Sequence, residues 1–382
     1  MIIFYFRIYV YLVTIYLWYR FLLMFIGDLK VSKKYSPLKA KTSIIVPVYN
    51  EKSDLLYLCI RSLCEASGDN EIIVVDDKST NSSWEKMIEL KKKFPRIKIV
   101  RLKENKGKRY AQYVGLHFAT GDFIVTVDSD SIVKKDSIIE LIKPFNNPKV
   151  GATTGNVRAF NREKNFLTKM IDARYKNAFT FERQGLSSFG VVTCCSGVIS
   201  AYRRENLLDI KEKYITQKFL GKVCTYGDDR HLTNLMLQKG YKIVYVDDAI
   251  AYTDVPTSVL SYIKQQLRWK KSFLRESFVI LPYALKNSFL LSFEILLTSI
   301  IPFFSLLARL LIVYFLFTDI FFLIPLVLSI TLIAFIRNMF LFFDDPKVGF
   351  YSIPFAFFYE ALIYWLYWVA LFDMWNTKWG TR

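Results

Sequence analysis

The sequence predicts an α/β domain, a mostly parallel sheet flanked by helices, fused to transmembrane and interfacial α-helices. Three observations carry this. Short β-branched runs ending in polar residues alternate with helical patterns between about residues 40 and 255. Long apolar stretches, 1–26, 288–343 and 349–372, bracket that region. A basic amphipathic segment, 258–280, joins the two parts.

Residues 1–26 carry only Arg7 and Arg20 as charges, and a membrane span needs about 20 mostly apolar residues. The stretch is longer than a signal-peptide core and has no small-residue cleavage site, so it reads as a retained anchor. Lys30, Lys33, Lys34, Lys39 and Lys41 follow it directly. The positive-inside rule then places the middle of the chain in the cytosol and the protein in the plasma membrane, multi-pass.

"TSIIVPVY", "EIIVVDD", "IKIVRL", "DFIVTVDSD" and "YKIVYVDD" read as strands. "EKSDLLYLCIRSLCEA" and "NSSWEKMIELKKKF" between them read as helices. Such alternation implies parallel strands with helices on both faces, and ligands bind at the carboxyl ends of those strands. The acidic pairs fall there.

Next, Val259, Ile263, Leu267, Leu274 and Phe278 recur at helical spacing, with Lys264, Arg268, Lys270, Lys271 and Arg275 filling much of the rest. This pattern suits a helix lying on lipid. A second, weaker amphipathic pattern covers 163–181. The apolar remainder offers 289–317, 319–343 and 349–372 as spans. The expected organisation is an N-terminal membrane helix (1–27), a cytosolic domain (28–255), interface helices (256–286), a membrane region (287–373) and a tail (374–382).

The net charge is +18 over 382 residues. It suits anionic lipid, a phosphate-bearing substrate or an acidic product. Nucleic acid is not the expected partner, because the charge is scattered through a membrane protein. The cysteines, 59, 64, 194, 195 and 224, show no metal-ligand spacing, and a cytosolic setting keeps them reduced.

Five clusters carry chemistry. "VDSDS" sets Asp128 and Asp130 two apart after a strand, where they could share a hard divalent cation and a diphosphate; an ordinary acidic loop reads the same. "VVDDKST" puts Asp76 and Asp77 at another strand end, placed for a base or ribose or for a helix cap. "ENKGKRYAQ" groups Lys106, Lys108 and Arg109 around Gly107, which suits phosphate or a solvated charge run. "GDDRH" offers Asp228 and Asp229; inverting sugar transfer needs one general base, and Arg230 would keep a neighbouring carboxylate ionised. A surface turn is the alternative. In "QQLRW", Gln265, Arg268 and Trp269 share one helical face, suited to phosphate and to a stacked sugar ring, or equally to an interfacial belt. With two histidines, His117 and His231, and no nucleophile elbow, a Ser-His-Asp hydrolase is not expected.

The ordered set "VVDD", "VDSD", "GDDR" and "QQLRW", followed by apolar spans, resembles the membrane-integrated processive family-2 glycosyltransferases, which include cellulose, chitin and hyaluronan synthases. "NKGKRYAQ", "CSGVISAYRRE" and the terminal "NTKWGTR" look closest to hyaluronan synthase of the single-domain class. The resemblance implies a glycosyltransferase-A type domain that polymerises UDP-N-acetylglucosamine and UDP-glucuronic acid and passes the growing polysaccharide through its own membrane channel. It implies that Asp77, with Asp76 near it, contacts uridine, and that Asp128 and Asp130 hold Mg²⁺ or Mn²⁺ with the diphosphate. Asp229 becomes the base, with Asp228 beside it. Gln265, Arg268 and Trp269 frame the acceptor and pyrophosphate, Cys195 sits beside the acceptor, and Trp379 and Arg382 reach back towards the nucleotide.

The sequence departs from that pattern in three places. Relatives often have two N-terminal spans where one is visible here, which implies a shortened start or a different lateral wall. Val198 stands where the family has proline. Three crossings after 287 would leave the tail on the wrong side, so one stretch, the last, is expected to be re-entrant at a proline such as Pro354. The rival readings are a chitin-oligosaccharide type N-acetylglucosaminyltransferase using one donor, transfer of one sugar to a lipid carrier, and a non-enzymatic scaffold.

Overall fold

The structure is a computed structural model that describes residues 2–30, 35–66 and 68–376. Ten strands form in chain order: β1 (Thr42–Val48), β2 (Glu71–Asp76), β3 (Ile97–Arg101), β4 (Phe123–Thr126), β5 (Ser131–Val133), β6 (Val150–Ala159), β7 (Ser200–Arg203), the exposed hairpin β8 (Lys218–Phe219) and β9 (Lys222–Val223), and β10 (Lys242–Thr253). The main sheet has the order β3-β2-β1-β4-β7-β6-β10-β5. Pairings β2–β3, β1–β2, β1–β4 and β6–β10 are parallel. β7 runs against both β4 and β6, and β5 against β10. The sheet is mostly parallel, as expected.

Side chains alternate across a strand, and here both faces are buried. Ile45, Ile73, Val75 and Ile124 feed one core, while Ile44, Val46, Ile72, Val74 and Val125 feed the other. The predicted helices form at Ser53–Ala66 and Ser83–Lys93.

Among the described residues three helices are long and apolar enough to cross a membrane: Ile8–Gly27, Phe289–Thr318 and Ile320–Arg337. A fourth apolar stretch is broken, with Pro346–Ile363 and Leu366–Asp373 meeting at a 43° bend. Both ends of this bent piece touch the α/β domain or its interface helix. At one end, Lys176 pairs with Asp344 at 2.6 Å and Asp345 at 3.1 Å. At the other, Lys271 pairs with Asp373, and the Tyr226 hydroxyl donates to the Asn376 carbonyl at 2.8 Å. The first helix is docked by backbone contact: a Cβ on Gly27 would lie 2.8 Å from Gly185 N, and one on Gly185 would lie 2.4 Å from Leu23 O. Arg20 and Glu294, both buried, pair at 2.8 Å between the first helix and Phe289–Thr318.

The interface helix is longer than its periodicity suggested, Val259–Asn287 running through Pro282. The Ser258 side chain caps it, accepting from Ser261 N at 3.3 Å. Its orientation corrects the sequence reading of a basic face laid on lipid. Lys270, Lys271 and Arg275 are buried against the protein, while Leu260, Phe278 and Leu285 are exposed. Lys271 pairs with Asp373, Arg275 with Glu276 and the Tyr226 carbonyl, and Lys270 meets the Tyr359 hydroxyl, so these cations turn to protein rather than to headgroups.

Candidate active site

The carboxyl ends of β1 and β4, the start of helix Asp228–Gln238 and the middle of helix Val259–Asn287 enclose one cavity of about 770 Å³. Asp77, Lys106, Lys108, Asp128, Asp130, Asp228, Asp229, Gln265, Arg268 and Trp269 all line it. Residues 192 positions apart in sequence, Asp77 and Trp269, thus share a wall because parallel strands deliver their ends to one edge.

Asp77 leaves β2 with both carboxylate oxygens accepting from the next loop: Lys106 N to Oδ1 and Gly107 N to Oδ2, each at 2.8 Å. Gly107, at φ +88°, makes the turn into helix Lys108–Phe118. The aspartate therefore aims Lys108. Its ammonium sits 2.6 Å from Asp128 Oδ1 and 3.2 Å from Asp228 Oδ2. Burial works against that charge, but the Asp128 and Asp228 carboxylates overcome it and hold the lysine protonated, its pKa raised.

Gly227, in the left-handed region at φ +80° and ψ 27°, precedes helix Asp228–Gln238. A Cβ there would meet Ser272 Oγ at 2.1 Å and Arg275 Nη2 at 2.7 Å. Glycine is thus needed for conformation and for close approach of the interface helix. Asp229 Oδ1 accepts from Arg230 N at 2.8 Å, and Cys194 Sγ donates to Oδ2 at 3.4 Å. Burial raises the Asp229 pKa, with the Asp228 charge adding to it and Lys108 opposing. Asp228 goes the other way: burial would raise it, but Lys108 and Arg109 bring it below the usual range. Two adjacent carboxylates are thereby pushed apart in acidity, as acid/base sites require. The expectation that Arg230 keeps Asp229 readily ionised is outweighed by burial; its guanidinium stacks over Phe273, 5.0 Å from the ring centre.

Trp269 stacks on Tyr175, ring centres 6.4 Å apart at 29°, and together they make an aromatic floor. Gln265 Oε1 is buried there without a hydrogen-bond partner among the described residues.

Three predicted residues do not line the cavity. Asp76 accepts from Ser79 N at 3.0 Å and pairs with Arg101 at 3.1 Å, so it shapes the loop after β2. Arg109 is buried with its Nη1 donating to the Tyr214 carbonyl at 2.9 Å, against the phosphate role expected. Cys195 is fully buried in the core, with its N–H on Thr233 Oγ1 at 2.8 Å; Cys194 lines the cavity instead. Burial, with the Asp229 charge behind it, pushes the Cys194 thiol up to about 12, so it stays a donor. Trp379 and Arg382 lie outside the described residues. Sequence reasoning missed Tyr175, Arg183, Lys270, Tyr359 and Tyr367, all on the cavity wall. Only Lys270, beside the "QQLRW" string, carried a local signal.

The residues present fit a divalent cation. Asp128 and Asp130 both line the cavity, and Gly197 faces Asp128 without a side chain, where a Cβ would stand 3.0 Å from Asp128 Oδ2. Among the described residues no three His, Cys, Asp or Glu side chains cluster as metal ligands. Two carboxylates two residues apart suit an ion completed by water and phosphate oxygens.

Residues 43–210 match the family described as Glycosyl transferase family 2. An N-acetylglucosaminyltransferase of Azorhizobium caulinodans is 39% identical over 262 residues, covering 68% of this chain and 66% of that protein. One from Rhizobium meliloti is 39% identical over 263 residues, covering 68% and 61%. A hyaluronan synthase of Streptococcus pyogenes is 39% identical over 270 residues, covering 68% and 64%. The match thus spans just under two thirds of these relatives' length. The mannosyltransferase PcManGT from Pyrobaculum calidifontis, solved with GDP-Man and Mn²⁺, superposes with a TM-score of 0.66 at 19% identity, covering 93% of this chain and 98% of that one. The shared architecture is the GT-A-like, mostly parallel sheet with added apolar helices.

Proposed function

We propose that this chain, which carries a family 2 glycosyl transferase domain over residues 43–210, transfers N-acetylglucosamine with inversion from UDP-N-acetylglucosamine to the end of a growing polysaccharide. The observation that carries this is the single cavity holding Asp128, Asp229 and Trp269 together. The donor identity draws on the N-acetylglucosaminyltransferase relatives.

In this reading Asp229 takes the proton from the acceptor hydroxyl as it attacks the anomeric carbon, and the bond to the UDP oxygen breaks on the opposite side. Its raised pKa makes it a stronger base than a surface aspartate. Cys194 and the Arg230 amide fix its orientation. Lys108 and Arg268 offset charge developing on the departing diphosphate. Asp128 and Asp130 would hold Mg²⁺ or Mn²⁺, which when bound supplies further charge neutralisation at the diphosphate. Asp77 positions the Lys106–Lys108 loop beside the nucleotide. Gln265 and Trp269 hold the acceptor sugar, the indole face taking its apolar side. In this reading the domain lies on the cytosolic face of the plasma membrane, and the apolar helices support an exit for the product between them.

A second reading adds UDP-glucuronic acid as an alternating donor, giving hyaluronan. It is favoured by the Streptococcus pyogenes relative at the same 39% identity. Purified protein given each UDP-sugar singly and then both together tests the pair. Polymer and UDP release from UDP-N-acetylglucosamine alone supports the first reading. Dependence on both donors, with product cut by a hyaluronan-specific lyase, replaces it by the second. Asp229→Asn should lower UDP release roughly 10²–10⁴-fold, the range for removing a general base, without lowering UDP affinity. Unchanged turnover in that variant would overturn the assignment of the base.

A further inference from the structure

The cavity carries charges of both signs. Its nucleotide end carries Asp128, Asp130, Asp228 and Asp229. At its other end, one residue beyond Trp269, Lys270 enters a collar formed by Phe355, Tyr359 and Tyr367 of the bent C-terminal piece. Lys270 is buried, 5% exposed. Its ammonium donates to Tyr359 Oη at 2.9 Å and lies 3.7 Å from the Tyr367 ring centre. No carboxylate lies within ion-pair distance of it among the described residues. The charged groups acting on it are Arg174 and Arg337. Those two share the single carboxylate Glu182, at 3.4 Å and 3.1 Å. That carboxylate is thus taken up by the two arginines, and Lys270 has no ion-pair share in it.

A buried ammonium is costly unless compensated, and tyrosine faces recover only part of that cost. Methionine or leucine would fill the collar without that cost. The arrangement is suited to a negative group that arrives with the ligand. The diphosphate has its own cations at the other end, Lys108 and Arg268. A chain of N-acetylglucosamine alone brings no charge. A uronic acid unit brings one carboxylate on a ring whose apolar face suits tyrosine.

We propose that Lys270 determines specificity for the acceptor by pairing with the carboxylate of a sugar acid in the unit lying beyond Trp269. This rests on the glycosyl transfer reading above and deepens it, by assigning an acidic sugar to the acceptor chain.

Isothermal titration of the full-length protein in detergent tests this with two oligosaccharide probes, a tetrasaccharide of alternating glucuronate and N-acetylglucosamine and chitotetraose. The wild type should bind the acidic probe at least tenfold more tightly. Lys270→Met should abolish the preference, and Lys270→Arg should retain most of it. UDP affinity, titrated alongside, should move less than twofold in Lys270→Met. Equal binding of both probes by the wild type, or a preference that survives in Lys270→Met, overturns the proposal. So does a fall in UDP affinity that matches the loss of acidic-probe binding, which would assign the lysine to the diphosphate. Each of these leaves the transferase reading intact if the wild type still releases UDP from UDP-N-acetylglucosamine. Absence of UDP release from any UDP-sugar fails that reading instead.

Discussion

Asp229 gathers most of the chemistry asked of single side chains. Its pKa lies above the usual aspartate range because burial disfavours the charge and Asp228 adds repulsion. The base works only when deprotonated. Activity should therefore fall as pH drops through that raised pKa, with the acid limb of kcat/KM at a higher pH than an ordinary aspartate gives. Lys108→Met removes the cation that opposes the rise, so it should move the limb further up in a pH–rate profile. An acid limb left in place would show that another group titrates. At this scale the sequence was informative where a motif exposes its residues at a strand end, as at Asp128 and Asp229. It misled where neighbours in sequence point apart. Cys194 and Cys195 are adjacent, yet only the first reaches the cavity. Lys108 and Arg109 divide in the same way: the first reaches the cavity, and the second is drawn to the Tyr214 carbonyl.

Two helices hold the site together as elements. Helix Asp228–Gln238 meets helix Val259–Asn287 across a buried polar joint. Glu276, fully buried, accepts from Gln217 Nε2 at 2.6 Å and Asn234 Nδ2 at 3.1 Å, and lies 3.3 Å from His231 Nδ1. Arg275 Nε pairs with it at 3.2 Å while Nη2 donates to the Tyr226 carbonyl. Burial would raise the Glu276 pKa, but His231, Arg275 and Gln217 bring it down to about 2. A depressed carboxylate stabilises the fold above its unfolded value of 4.5, and that contribution is lost as pH falls towards about 2. Glu276→Gln should cost roughly 3 kcal/mol, the scale for breaking a buried pair, seen as a lower unfolding midpoint in detergent at pH 7. The variant should also lose part of the wild type's decline between those two pH values. An unchanged midpoint would deny the joint its role. Elements with strong β-branched runs were legible in the sequence. β6, "VGATTGNVRA", and the four-residue β7 were not, because glycine, threonine and brevity weaken the pattern that tertiary pairing then supplies.

For the whole molecule, the sequence exposes a conflict of parity that a re-entrant last piece would remove, and contacts at both ends of the bent piece support that path. Phe289–Thr318 leads away from the interface helix, and Ile320–Arg337 returns, so that Arg337 meets Glu182 at 3.1 Å. The bent piece then begins and ends beside the domain. Hydropathy could not show this, because a segment lying along protein and one crossing lipid are equally apolar. In the proposed membrane setting, cysteines placed at Leu220 and Asn376 should react with an impermeant maleimide from one side, and one at Asp319 from the other, above the parent chain's background. Labelling of Asn376→Cys and Asp319→Cys from the same side would refute that path.

Gly27 and Gly185 bring two backbones together with no side chain between them. Gly185 lies two residues past the segment Asn177–Arg183, which contributes Ala178, Phe179 and Arg183 to the cavity. Such a joint has no cushion. In the proposed membrane setting, a thinner bilayer that tilted the first helix would carry that wall with it, so lipid thickness would bear on the width of the proposed acceptor site.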